Sequence, residues 1–185
     1  MFKLERFIEE CREALSEQSP QSAMNELVRR TVSQPAAVTA ALGEPTEGGI
    51  AVLHRSPELT VLNVVWAPEM SVNPHNHCMW AVIGVYGGTE DNTFFRRAGA
   101  GFEQVGGRSI EVRDTLTLGE HGVHAVRNSL TRLTGGLHVY GGDFLGADRR
   151  VWDPETWAES ANDPQTTMRQ FTEANERWAA RQAGV

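Results

Sequence analysis

Apolar positions along the chain follow three successive regimes. Between residues 3 and 42 they recur at the helical period, and Phe7, Ile8, Cys11 and Leu15 share one face. The segment "SPQSAMNELVRRTV" carries a second stripe of Met24, Leu27, Val28 and Val32. It opens on Ser19 as N-cap and Pro20 at the first helical position. A third short helix, "PAAVTAAL", ends at Gly43, and "GEPTEGG" marks a boundary. From Ile50 to Phe144 the period shortens to that of strands. Seven short β-rich runs are separated by Gly, Pro, Asn and Asp at spacings of roughly 8 to 12 residues, which predicts a β-sandwich or barrel. From Asp153 the pattern is helical again, with Asp153-Pro154 as cap and first turn and Met168, Phe171, Ala174 and Trp178 as its stripe. The chain reads as one mainly β domain over residues 1–185, with helices at 1–43, a barrel at 50–144 and a helical segment at 153–182.

Composition narrows the function. The 185 residues are 40% hydrophobic and 22% charged, as in an ordinary globular domain. A net charge of −7 and the lack of any basic stripe argue against nucleic acid as partner. Cys11 and Cys78 cannot build a disulfide framework, so a reducing cytoplasm is the expected location. The charged N-terminus lacks a signal-peptide core, and no run approaches the roughly 18 apolar residues of a membrane span.

The candidate chemistry is in "NPHNHCMWAVIGVYGG", residues 73–88. In an extended strand His75 and His77 point the same way. Imidazole is a common ligand for Fe, Zn, Cu and Ni, and two ligands on one strand need a third from elsewhere. His124 in "GEHGVHAVRN" is the best candidate, His138 competes and His121 and His54 follow. "TEDN" at 89–92 reads as an exposed turn. Trp66 and Trp80 read as core residues, and Asn128 as the holder of a loop.

"PHNHCMWAVIGVYGG" resembles the first cupin motif, in which H-x-H is followed by a carboxylate and then a glycine; Gly88 stands at the glycine. "GVHAVRN" resembles the second, through His124 and Asn128. The resemblance implies a cupin double-stranded β-helix, a jelly-roll barrel flanked by N- and C-terminal helices. The carboxylate position falls on Ala81, which leaves three neutral histidines, His75, His77 and His124, as implied metal ligands.

Such a set resembles the thiol dioxygenases of the cysteine and 3-mercaptopropionate types. "GGLHVYGGDF" is similar to their Ser-His-Tyr segment: His138 and Tyr140 match as catalytic relay residues, and Gly136 replaces the serine. The substrate carboxylate would be bound by Arg149 or Arg150 in the mercaptopropionate branch, or by Arg55 if the cysteine branch is followed. Val82 stands where the mammalian enzymes carry a crosslinking cysteine, so no crosslink is expected, and Cys78 is read as packed on the opposite face. The resemblance thus implies an Fe(II)-dependent oxidoreductase whose partners are O₂ and a small thiol. The alternatives are another metal-dependent cupin enzyme, such as an isomerase or non-thiol dioxygenase, a non-catalytic ligand-binding cupin, or a metal-free barrel.

Overall fold

A computed structural model describes residues 2–99 and 101–184. Three helices, α1 (Leu4–Leu15), α2 (Pro20–Val32) and α3 (Pro35–Leu42), precede the strands β1 (Gly49–Arg55), β2 (Thr60–Trp66), β3 (Ser71–Asn76), β4 (Ala81–Gly87), β5 (Thr89–Ala98), β6 (Gly101–Glu111), β7 (Thr115–Leu118), β8 (Val123–Arg127), β9 (Thr134–Tyr140), β10 (Arg150–Trp152) and β11 (Glu159–Ala161), and helix α4 (Pro164–Ala183) follows. The strands form two antiparallel sheets, ordered β1-β2-β9-β4-β7 and β11-β10-β3-β8-β5-β6. Strands β2 to β9 distribute between the sheets as a jelly roll, the double-stranded β-helix expected from the sequence.

Sheet one is buried on both sides. Leu62, Val64, Trp66, Ala81, Ile83 and Tyr140 face the barrel interior, while Val61, Val82, Leu137 and Val139 face the helices. Two-sided burial explains why β9, "TGGLHVY", is buried at every position. Gly84 lets α2 approach: a Cβ there would lie 2.4 Å from Val28 Cγ1 and 2.9 Å from Val32 Cγ1. Asn128 donates to the carbonyls of Trp66, Ala67 and Arg132, and so pins the loop between sheets.

Four local expectations are corrected. Ser19 precedes α2, yet its side chain makes no capping bond. "TEDN" is not an exposed turn but the start of β5, with Glu90 and Asn92 buried. Its polarity mimics a turn because these side chains find partners inside the barrel. Asp153 closes a turn, accepting from Glu155 N, Thr156 N and the Thr156 hydroxyl, and the final helix starts only at Pro164, capped by Asp163. Between the two Asp-Pro pairs lies β11, three residues that the helical reading passed over. Cys78 is exposed in a left-handed turn at φ 59°, not packed on the far face of a strand. Among the described residues no helix is long and apolar enough to cross a membrane.

Candidate metal centre

Strand β3 is not regular. Its register on β8 jumps from Val72↔Val126 to His75↔His124, so Asn73 and Pro74 together face one residue of the partner. Proline suits a bulge because it has no N–H to give to the ladder. The extra residue shifts the alternation, and Val72, His75 and His77 all come to line the same cavity.

The bulge and the His75↔His124 register bring three buried imidazoles together. His77 Nε2 lies 3.3 Å from His75 Nε2 and 3.1 Å from His124 Nε2. Two ligand nitrogens about 2.1 Å from one ion and at right angles to it lie about 3 Å apart, so this spacing fits three neighbouring coordination positions. Hydrogen bonds fix two of the tautomers. Asn73 O, which can only accept, lies 2.9 Å from His75 Nδ1, so that nitrogen carries the proton and Nε2 keeps its lone pair. Asn92 turns its amide nitrogen to the Glu90 carboxylate, 3.1 Å from Oε1. Its Oδ1 is then left to accept from His124 Nδ1 at 2.7 Å. The imidazoles of His75 and His124 are thereby oriented as metal-ligating histidines usually are, by a second hydrogen bond.

Burial, and then the neighbouring His124 and His75, hold His77 well below the ordinary histidine range. Burial and His75 do the same to His124, and burial brings His75 down to about 4. All three are therefore neutral near pH 7, the form that binds metal. As pH falls below about 6.5 the unfolded chain takes up protons that the buried histidines refuse, so metal-free protein loses stability between about pH 6.5 and 4. The expected loss is on the order of 1.4 kcal/mol per pH unit for each histidine. Urea midpoints measured in chelator at about pH 7.5 and 5 check this through the linear dependence on denaturant.

The cavity in front of the triad has a volume of about 220 Å³. Its walls are mostly apolar, from Ile50, Leu62 and Val64 to Phe144, Leu145 and Met168. Helix α4 covers it. Phe171 stacks on Trp66 with centroids 5.6 Å apart, and the Asn175 amide bonds both Gly48 N and Gly48 O. Val126 and Trp66 line the wall, whereas Trp80 packs with the N-terminal helices and against Gly141.

The three candidate arginines end in different places. Arg149 is 8% exposed and lines the cavity. Its guanidinium lies 3.8 Å over the Phe144 ring, and its Nε donates to Phe144 O at 3.0 Å. No carboxylate among the described residues pairs with it, and burial pulls its pKa down. Arg55 is half exposed and bound to Asp143 at 2.8 Å. Arg150 is bound to Asp148 and lies near Glu159. Neither Arg55 nor Arg150 lines the cavity.

His138 and Tyr140 both face the cavity from β9, with the Tyr140 hydroxyl 3.3 Å from His138 Nδ1. Burial pushes the Tyr140 phenol up, so it stays protonated. Ala81 is the cross-strand neighbour of Tyr140 and brings no carboxylate to the triad. His54 and His121 lie outside the cavity lining. The residue missed by sequence reading is Glu90. It is fully buried and accepts from Trp66 Nε1 at 2.7 Å.

No family model and no curated protein matches the sequence. Solved structures superpose on parts of it. An uncharacterized conserved protein with a double-stranded beta-helix domain from Klebsiella pneumoniae matches with TM-score 0.47 and 14% identity, over 59% of this chain and 82% of that one. The DMSP lyase DddQ from Ruegeria pomeroyi matches at 0.47 and 17%, over 59% and 53%. An oxalate oxidase in complex with the substrate analogue glycolate matches at 0.45 and 13%, over 55% and 54%. The chain thus spans about half the length of these two enzymes. The likenesses are partial. Three neutral imidazoles converge on an apolar cavity, and the buried Arg149 guanidinium that lines it has no carboxylate partner among the described residues.

Proposed function

We propose that the protein is a cupin enzyme that binds Fe(II) through His75, His77 and His124 and oxidises a small carboxylate-bearing thiol to its sulfinate with O₂. The observation that carries this reading is the pairing of a ligand set without a carboxylate and a buried Arg149 without a counter-ion. Such a cation is costly unless something anionic joins it. A bound Fe(II) would supply a doubly charged centre with open positions, suited to an anionic sulfur and to the activation of O₂. Three neutral imidazoles leave that charge uncompensated, which favours a thiolate as the incoming ligand.

The protein's own groups do the rest. Arg149 offers a planar fork for a carboxylate, and Phe144 beneath it keeps the fork from turning. The mostly apolar walls lower the local dielectric, which strengthens both contacts. Tyr140 presents a protonated phenol on the wall beside His77, with ring centroids 5.1 Å apart; its hydroxyl lies 3.3 Å from His138 Nδ1, and its oxygen is left to accept the proton of an incoming thiol. The cavity lining holds no Asp or Glu among the described residues, so no carboxylate there receives a substrate ammonium group. A mercapto acid without an α-amino group therefore fits better than cysteine.

Protein loaded anaerobically with Fe(II) should consume O₂ with 3-mercaptopropionate, less readily with cysteine and least with cysteamine, which lacks the carboxylate. The product should gain two oxygen atoms by mass spectrometry. Iron-loaded protein that consumes no O₂ with any of these thiols overturns the reading and favours a non-thiol or non-catalytic cupin.

A further inference from the structure

The resemblance to thiol dioxygenases leaves His138 without its partner, because Gly136 stands where a serine belongs. The structure shows what occupies that place. A Cβ built on Gly136 would lie 3.1 Å from His138 Nε2, so a side chain there would crowd this nitrogen. With glycine, the approach to Nε2 is open, and Glu90 Oε2 reaches it from β5 at 3.2 Å. The contact is too oblique to the N–H direction to be a formed hydrogen bond, and His138 Nε2 has no hydrogen-bond partner among the described residues.

We propose that Glu90 is a positioning residue that replaces the missing serine: it holds the His138 Nε2 proton, so that His138 Nδ1 presents its lone pair to the Tyr140 hydroxyl. The catalytic meaning of this carboxylate–imidazole–phenol chain rests on the thiol dioxygenase reading, but its geometry does not. Glu90 is suited to the role because both of its hydrogen-bonded side-chain neighbours, Trp66 and Asn92, are donors. Oε2 faces Trp66 Nε1 and His138 Nε2, and Oε1 faces Asn92 Nδ2. Only an acceptor-only group satisfies all three. A glutamine would turn an NH₂ against at least one of these N–H groups. Through Asn92 the same strand also orients His124, so β5 couples the relay to the ligand set.

The test is the tautomer of His138, read by two-bond ¹H–¹⁵N spectra of ¹⁵N-histidine protein without metal. The proposal expects the Nε2–H form in the parent, with the Nδ1 signal of a bare, hydrogen-bonded nitrogen. An Nδ1–H form in the parent overturns it without any variant. In Glu90→Gln that preference should be lost. Trp66→Phe, which removes a different donor from the same oxygen, should keep it. With iron and substrate, Glu90→Gln should lower kcat about 10- to 100-fold. KM for the thiol should stay near its parental value, because Arg149 is untouched, and kcat is compared per bound iron because Asn92 links Glu90 to His124. A variant that keeps the tautomer and kcat of the parent refutes the proposal. If no thiol is oxidised at all, the tautomer result still decides whether Glu90 holds His138, and only the functional reading fails.

Discussion

His77→Ala is expected to abolish metal binding. His77 Nε2 stands between the other two ligand nitrogens, 3.3 Å from His75 Nε2 and 3.1 Å from His124 Nε2. Its loss leaves two neutral ligands and no carboxylate to replace the third, because Glu90 is held by Trp66 and Asn92. Native purification followed by elemental analysis should give close to one metal per chain for the parent and less than about a tenth of that for the variant. The same loss appears in thermal melts, because a ligand that binds only the folded state stabilises it by about 2.7 kcal/mol at a hundredfold excess over Kd. Added Fe(II) should therefore raise the parent's Tm and leave the variant's unmoved. The metal-free variant should fold well, since the substitution removes a buried imidazole crowded by two others. Unchanged metal content would establish instead that the histidines are structural.

Arg149→Gln should separate substrate binding from the rest of the site. Two charge-assisted hydrogen bonds from a guanidinium to a carboxylate are worth roughly 3 kcal/mol together, or about 10² in kcat/KM. That loss should fall on 3-mercaptopropionate and spare cysteamine, so the ratio between the two substrates collapses. Arg149→Lys should recover little, because an ammonium neither stacks flat on Phe144 nor presents a fork. Arg55→Ala is the control. Its ion pair with Asp143 is half exposed, and such pairs contribute about 0–1 kcal/mol. It should leave kinetics and stability close to the parent. Arg149→Gln should also melt no lower than the parent, because a buried cation without a carboxylate partner costs desolvation energy that the neutral side chain does not. Equal kcat/KM for both substrates in the variant and the parent would remove Arg149 from the binding role.

Some of the site was legible because its information is local. H-x-H on an extended segment places two imidazoles on one face whatever the rest of the fold does. The parity of Gly136, His138 and Tyr140 likewise put all three on the inner face of β9, opposite Leu137 and Val139. Glu90 was not legible. Asp, Asn and Glu in sequence signal a solvated turn unless donors wait inside, and its donors come from Trp66 on β2 and Asn92 on β5, with His138 of β9 3.2 Å away. Trp66 is 24 residues from Glu90 in the chain. The final helix was misplaced for a related reason: Asp153-Pro154 and Asp163-Pro164 are the same dipeptide, and only the pairing of β10 with β11 distinguishes turn from cap.

The class of fold, the inner face of β9 and the residue types able to hold a metal can be read from short segments, since hydrophobic period and side-chain chemistry are local properties. The tertiary structure alone decided that His124 lies opposite His75, that a bulge at Asn73-Pro74 turns His75 and His77 inward, and that Arg149 enters the cavity while Arg55 and Arg150 do not. Those outcomes depend on which strands pair and in what register. Register is set by the burial of whole sheet faces, and no single motif carries it.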